Sequence, residues 1–124
     1  MKMDFPQLYF PPSTENDDGN EVLHSDSAKL TSLEQWGTNQ WRSMHRAFAG
    51  CRYLVSNAVD TPDLSQVNDM SWMFYKAEIF NQDISGWDVS SVTNTGFMFL
   101  EATDFNQDIG GWDVSNVTDM RLMF

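Results

Sequence analysis

The sequence has few cysteines and few basic residues, and both shortages restrict its chemistry. Cys51 is the single cysteine, so the 124-residue chain can form neither an internal disulfide nor a metal site with several cysteines. Seven lysines and arginines face 18 acidic residues, which gives a formal net charge of −11. Nucleic acids and anionic membranes are bound by clustered basic residues, so this balance argues against both as partners.

Long apolar runs, targeting signals and catalytic motifs are also missing. No apolar run approaches the roughly 18 residues of a membrane helix, so we predict no transmembrane segment. The N-terminal residues, MKMDFP, show no signal peptide because an acid and a proline come early and no apolar core follows. The motifs GxxxxGK, GxGxxG and GxSxG do not occur. We therefore predict that the protein is not an enzyme.

A tandem repeat of about 25 residues dominates what the sequence does contain. Residues 80–93 are FNQDISGWDVSSVT and residues 105–118 are FNQDIGGWDVSNVT, with twelve of fourteen positions identical. The same offset relates the pair Met-Phe at 73–74 to the pairs at 98–99 and 123–124. Chance does not explain this agreement, and repeats of this length are typical of proteins built from stacked units.

The register of the repeat divides the chain into two parts. We predict an N-terminal flank or cap at 1–35, followed by three and a half repeats. The cap is expected to hold a short strand at 5–10 and an acidic loop at 13–20. The repeats are assigned as follows: 36–61, 62–86, 87–111 and the half-unit 112–124. Because the chain stops in the middle of a unit, we expect a truncated array that continues beyond Phe124.

Each unit contains one segment that favours a strand and one that favours helical turns. β-Branched and aromatic residues near a glycine at 84–89 are typical of a short strand. Apolar residues at 95–99 and at position 102 follow a Ser/Thr/Asn-rich start, as in one or two turns of helix. The pattern therefore predicts an α/β repeat, a solenoid in which like residues stack. Phe80 should lie on Phe105, Phe74 on Phe99, and Cys51 in a buried column of small residues.

Aspartates recur at the same positions of successive units. Asp83 should lie near Asp108, and Asp88 near Asp113, at the spacing of neighbouring units. Two carboxylates about 5 Å apart in water repel each other by roughly 0.8 kcal/mol, and a Ca²⁺ ion would relieve that repulsion. The alternative is that each aspartate accepts hydrogen bonds from amides of its own turn. We expect no cofactor, and we keep Ca²⁺ as the open alternative.

Tryptophans and arginines supply the candidate interaction surface. Trp72 has Phe97 as its counterpart one unit later and is the tryptophan expected to be exposed, whereas Trp87 and Trp112 are expected in the core. Exposed tryptophans would also suit stacking on sugars. Residues 36–61 carry three arginines against one aspartate, a local net charge of +2. Arg42 and Arg46 therefore join Trp72 in the predicted surface. The alternative is that the three arginines of this stretch are separately solvated.

The repeat resembles that of a known family. The segment FNQDISGWDVSSVT, followed by the Met-Phe pair and an alanine, is similar to the repeat of the BspA-like bacterial surface proteins. The stretch AFAGCRYL at 47–54 resembles the AFxGCxxL element of the wider leucine-rich-repeat group. This resemblance implies a leucine-rich-repeat-like solenoid, an extracellular or cell-surface location, and a role in adhesion.

These observations together predict a non-enzymatic module that binds a protein or a glycan. Stacked repeats offer extended surfaces more readily than deep pockets, which is why binding is favoured over catalysis. The alternative is a structural solenoid that depends on Ca²⁺ bound by the aspartate columns.

Overall fold

The computed structural model describes residues 2–3 and 30–124. The predicted strand at 5–10 and acidic loop at 13–20 lie outside the described residues. Three two-residue strands form one parallel sheet in the order β1-β2-β3. They are β1 (Lys2–Met3), β2 (Ser32–Leu33) and β3 (Val55–Ser56). The sheet joins the N-terminal part of the chain to the first unit, because β3 lies within 36–61.

The predicted α/β repeat, a leucine-rich-repeat-like solenoid of short strands and helical turns, is wrong. The described residues form no helix, and their regular strands are limited to the three short ones above. Most of the remaining described chain consists of turns, which parallel bridges join at single positions. One such series runs through three successive units, from Asp69 to Asn94 and from Asn94 to Asp119. Neither the helical turns nor a strand at 84–89 is present.

The backbone hydrogen bonds explain why the apolar segment of each unit is not a helix. The N–H of Met73 donates to the Met70 carbonyl in its own unit at 3.3 Å. The N–H of Trp72 donates instead to the Gly96 carbonyl of the next unit at 3.0 Å. The same alternation continues along the chain, whereas an α-helix sends every N–H to the carbonyl four residues back. The segment is therefore a series of tight turns, and alternate residues bond to the neighbouring unit.

Left-handed residues set the shape of these turns. Trp72 and Phe97, at equivalent positions of two units, have φ values of 61° and 60°. Four residues later, Lys76 and Glu101 have φ values of 57° and 59°, and the equivalent residue of the first unit is Gly50, at 77°. Side chains other than glycine rarely adopt this conformation, and a helix contains none of it. The positive φ values thus recur with the repeat.

The core is built from like residues stacked across units. The rings of Phe48, Phe74, Phe99 and Phe124 follow one another with centroids 5.5, 5.6 and 5.4 Å apart. Phe80 and Phe105 form a second stack, at 6.1 Å. The two phenylalanine stacks predicted from the 25-residue offset are therefore confirmed. Phe48, Phe74, Phe80 and Phe99 are buried, and full burial of such a side chain stabilises the fold by roughly 1.5–3 kcal/mol, so these four supply much of the cohesion between units.

The tryptophans at 87 and 112 are buried, as predicted, with about 7% of each exposed. Trp112 donates its Nε1–H to the Ile84 carbonyl at 3.0 Å, which satisfies the indole in the core. The ring of Trp87 packs edge-on against Trp36, with centroids 5.3 Å apart. These contacts hold Trp87 and Trp112, the first residues of their units, in the core.

Cys51 is fully buried in the column of small residues, as predicted. Burial raises the pKa of its thiol to about 12, because the thiolate would lose its hydration. The thiol is therefore an inert part of the core.

Among the residues that the structure describes, no helix is long and apolar enough to cross a membrane.

Candidate functional site

Four residues at one position of successive units form an outward column, which we call the aromatic column. They are Arg46, Trp72, Phe97 and Leu122, and all four have positive φ. Trp72 and Phe97 are half-buried, whereas the next residue of each unit, Met73 or Met98, is completely buried. The left-handed turn therefore directs one side chain outward and the following one into the core.

Aromatic contacts hold the column together. The rings of Trp72 and Phe97 stack with centroids 4.2 Å apart and an interplanar angle of 8°. The guanidinium carbon of Arg46 lies 5.6 Å from the centroid of the Trp72 ring. Arg46 belongs to the preceding unit and Phe97 to the following one, so these contacts occupy opposite faces of the indole. Cation–π and stacking contacts of this kind each contribute about 0.5–1.5 kcal/mol.

Tyr75 and Lys76 extend the aromatic column sideways. The Tyr75 ring meets Trp72 edge-on at 5.0 Å, and Lys76 Nζ lies 5.1 Å from the centroid of the Tyr75 ring. Lys76 Nζ also lies 3.6 Å from Glu101 Oε2. The pKa of Lys76 is raised, first by its hydrogen bond with the Tyr75 side chain and further by the nearby charge of Glu101. A second cation thus stays charged beside the aromatic rings at neutral pH.

The structure brings together two of the three predicted surface residues. Arg46 and Trp72 are in contact, but Arg42 lies four residues earlier, in the column that continues with Asn68 and Thr93. Arg42 is exposed there. Sequence reasoning did not include Tyr75 and Lys76 in the surface. The sequence could have indicated that Tyr75 and Lys76 belong to this surface, because both follow Trp72 within one turn.

The predicted aspartate columns are engaged in their own turns. The Oδ1 atoms of Asp83 and Asp88 accept the N–H groups of Ser85 and Ser90 at 2.9 and 3.0 Å. In the next unit the same bonds occur, from Gly110 to Asp108 at 2.8 Å and from Ser115 to Asp113 at 3.1 Å.

Hydrogen bonding lowers the pKa of three of these four carboxyl groups. Bonds from the serine side chain two residues later are the main cause, followed by bonds from the serine backbone, for Asp83, Asp88 and Asp113. The charge of Asp113 raises the pKa of Asp88, but its effect is smaller than that of the hydrogen bonds from Ser90. The turn amides and hydroxyls therefore stabilise the carboxylates more than their mutual repulsion disfavours them.

Comparison with known proteins identifies the family of this chain. A family model described as "Mycoplasma protein of unknown function, DUF285" matches residues 20–124. The chain belongs to the DUF285 family. No curated protein and no solved structure matches it. The matched residues include every unit of the repeat, the aromatic column and all four aspartates.

A third acidic column of the DUF285 chain shows what its turns require. Asp69, Asn94 and Asp119 occupy one position of three units, and each Oδ1 accepts the N–H two residues later, at 2.8, 2.9 and 3.0 Å. Because asparagine makes the same bond as aspartate, the turn needs the oxygen and not the charge. Nowhere in the described chain do three or more His, Cys, Asp or Glu side chains form a group suited to a metal ion. Binding of Ca²⁺ stays a prediction without a built site.

Proposed function

We propose that this DUF285 protein is a non-enzymatic module that binds another protein through the aromatic column and its neighbours Tyr75 and Lys76. The observation that carries the proposal is the contact of Arg46 with one face of the Trp72 ring, within a column of side chains that the fold directs outward. Interfaces between proteins are enriched in tryptophan, tyrosine and arginine, and the few residues that dominate affinity are mostly of these types.

The geometry favours a protein over a glycan. Sugar rings bind tryptophan by stacking on an open ring face. The two faces of Trp72 are occupied by Arg46 and Phe97, so the indole offers an edge to a partner. Edges of stacked aromatic rings suit the irregular apolar side chains of a protein segment.

Charge indicates the kind of protein segment. The DUF285 chain carries a formal net charge of −11, yet two of its seven basic residues, Arg46 and Lys76, lie against the aromatic rings. Opposite charges favour encounter and fix the register of an interface. We therefore propose that the partner presents apolar or aromatic side chains next to carboxylates.

The proposal extends to the location of the protein. The resemblance of the FNQDI repeat to BspA-like surface proteins supports an extracellular or cell-surface setting and a role in adhesion. A protein partner outside the cell would meet the aromatic column there. The location and the adhesive role are part of the proposal.

Selection from a displayed peptide library tests the proposed function. The library is selected on the purified wild-type protein, and the recovered peptides are titrated against Trp72→Ala and Arg46→Glu by calorimetry. Arg42→Glu is the matched control, because it makes the same charge change on an exposed arginine outside the aromatic column. A glycan array probed with the same proteins covers the alternative ligand.

We expect the selected peptides to be rich in aromatic and acidic residues. Their affinity should fall about tenfold or more in Trp72→Ala and in Arg46→Glu, as for central interface residues, and should change little in Arg42→Glu. Equal losses in Arg42→Glu and Arg46→Glu would contradict the assigned surface. Specific binding to glycans without enrichment of any peptide would contradict the choice of a protein partner.

A further inference from the structure

The strand β3 is an edge of the parallel sheet in the described chain. The strand order is β1-β2-β3, so β3 pairs with β2 on one side only. The N–H groups of Val55 and Asn57 donate toward β2, at 3.0 and 2.8 Å. Because successive residues of a strand bond to opposite sides, both backbone groups of Ser56 point away from β2. Edges of this kind are templates for pairing with another chain.

The backbone of Ser56 is only partly satisfied on this open side. Its N–H donates to Gln82 Oε1 at 3.1 Å, so a side-chain amide stands where a neighbouring strand would place a carbonyl. Its C=O accepts no hydrogen bond from the described residues. A further strand would donate an N–H at this carbonyl, next to the rung that Gln82 occupies. One backbone acceptor of the edge is therefore available to a partner.

The side chain of Gln82 also has unused donors. In the next unit, Gln107 Nε2 donates to the backbone carbonyl and to Oδ1 of Asn81, at 2.9 and 3.0 Å. Gln82 Nε2 donates to none of the described residues, because the counterpart of Asn81 in the first unit is Val55, which has no side-chain oxygen. Gln82 and Ser56 thus present a donor and an acceptor side by side, as the edge of a strand does.

A groove of about 450 Å³ lies beside these two groups. Ser56 and Gln82 line it, together with the loop at 58–61 and the turn at 83–86. The first unit has one residue more than the next two, and the extra residue falls in the loop between β3 and Pro62. The groove therefore lies where the repeat is irregular. Its volume is within the range of ~300–1,000 Å³ that is usual for ligand sites.

The groove carries charge of one sign. Among the described residues that line it, the charged side chains are Asp60 and Asp83. Asp60 is engaged structurally, since its carboxylate accepts the N–H groups of Trp36 and Gly37 at 3.0 and 2.8 Å. Asp83 is exposed, and hydrogen bonds from the side chain and backbone of Ser85 lower its pKa, so it is charged at neutral pH. A basic side chain would complement this carboxylate.

We propose that the groove binds a short extended peptide segment that pairs with the free edge of β3 and places a lysine or arginine beside Asp83. An N–H of the segment donates to the Ser56 carbonyl, and a carbonyl of the segment accepts from Gln82 Nε2. Strand addition of this kind takes its affinity from main-chain hydrogen bonds and its selectivity from side chains. The site differs from the aromatic column in its residues and its charge preference, so it goes beyond the function proposed above.

Three capped peptides of equal length test the charge preference. They are Ac-Ala-Ala-Lys-Ala-Ala-NH2 and its counterparts with a central glutamine or glutamate, titrated into the full ¹⁵N-labelled chain and followed by NMR. The lysine peptide should bind most tightly, roughly twofold to fivefold better than the glutamine peptide, as for an exposed ion pair. It should also shift the side-chain amide of Gln82 more than that of Gln107. Equal affinities, a preference for the glutamate peptide, or no binding of the lysine peptide at millimolar concentration would overturn the proposal.

Backbone methylation of the lysine peptide tests the strand pairing. Successive N–H groups of an extended peptide point to opposite sides, and only one side can face Ser56. In a series of peptides with one N-methyl group each, binding should be lost at one position and kept at the positions on either side of it. A uniform loss or a uniform retention along the series would show that the main chain does not pair with β3.

Two glycines at equivalent positions provide a matched pair for locating the site. Gly86 lines the groove, and a Cβ there would meet only Thr61 Cγ2, at 4.0 Å. A Cβ on Gly111, one unit later, would meet no atom within 4 Å. Gly86→Phe should therefore obstruct the groove and abolish binding of the lysine peptide, while Gly111→Phe retains it. Retained binding in Gly86→Phe would place the peptide elsewhere and refute the assigned site.

Removal of the charge at position 83 tests the role of its carboxylate. Asp83→Asn keeps an Oδ1 acceptor for its turn, as Asn94 does naturally. It should reduce the affinity for the lysine peptide to that for the glutamine peptide, roughly a twofold to fivefold loss. Asp88→Asn, which makes the same change outside the groove, is the control and should keep the preference for lysine. Equal effects of the two substitutions would refute the assigned role of Asp83.

Discussion

Position 101 offers a sharp test of the turn conformation that replaces the predicted helix. Glu101 has φ of 59°, and its side chain is 55% exposed. We compare Glu101→Gly with Glu101→Ala, because both remove the ion pair with Lys76 and differ only in the Cβ. A left-handed conformation costs a residue with Cβ roughly 1–2 kcal/mol. Glycine avoids this cost. Its greater freedom in the unfolded chain, however, lowers the free energy of unfolding by about 0.5–1 kcal/mol relative to alanine.

Glu101→Gly should therefore be more stable than Glu101→Ala by about 1 kcal/mol. Urea unfolding followed by circular dichroism measures the difference, provided the slopes of the two transitions agree. Asp104, an exposed residue without positive φ, gives the control pair. There alanine should be the more stable by about 0.5–1 kcal/mol. If alanine were also the more stable residue at position 101, the left-handed turn would be refuted and a helical segment favoured.

Three further predictions follow from the core and the turns. Phe74→Ala should lower the free energy of unfolding by about 3–5 kcal/mol in a urea titration, since Phe74 lies in the middle of a buried stack. Phe124 is 66% exposed, so Phe124→Ala should lower it clearly less. The folded-state pKa values of Asp88 and Asp113 lie below the ordinary 3.8, so their contribution to stability is complete above about pH 4 and is lost as pH falls through the folded values. Unfolding midpoints at pH 7 and pH 3 should therefore differ less in Asp88→Asn than in the wild type, and an unchanged difference would argue against this linkage. Millimolar Ca²⁺ should leave Tm unchanged because the carboxylates already accept turn hydrogen bonds, and a rise in Tm would instead support the Ca²⁺-dependent alternative.

Stacking of like residues was predictable from the offset of 25 residues. The two phenylalanine stacks and the burial of Cys51 follow from the register alone, because equivalent residues of adjacent units occupy equivalent places. Aspartate turns were among the alternatives that the sequence left open, and the structure selects them for Asp83 and Asp88. These features depend on spacing, which the sequence displays directly.

The backbone conformation was not predictable in the same way. Apolar residues at 95–99 and at position 102 match both a helical turn and a series of tight turns bonded to a neighbouring unit. The difference lies in which carbonyl each N–H reaches, and that depends on the presence of the next unit. Trp72 and Phe97 also gave no sign of their left-handed conformation, which glycine would have indicated. The helix prediction therefore failed where the local pattern had two solutions and contacts between units selected one.

Irregular positions of the repeat illustrate a second limit of the sequence pattern. The offset of 25 residues displays what the units share, whereas Pro62 and the longer first unit are points at which they differ. Tyr75 and Lys76 were likewise passed over because their columns hold different residue types in the next unit. Departures from a repeat thus indicate candidate sites that its consensus conceals.

The bonding between units is the central claim, because it turns Trp72 outward and stacks the phenylalanines. Scalar couplings across hydrogen bonds, measured by NMR on isotope-labelled protein, identify the acceptor of each amide directly. The structure predicts a coupling between the Trp72 amide nitrogen and the Gly96 carbonyl carbon, which belong to a 3.0 Å hydrogen bond. A coupling from Trp72 to the carbonyl of Asn68, four residues earlier, would show an α-helix and contradict the account.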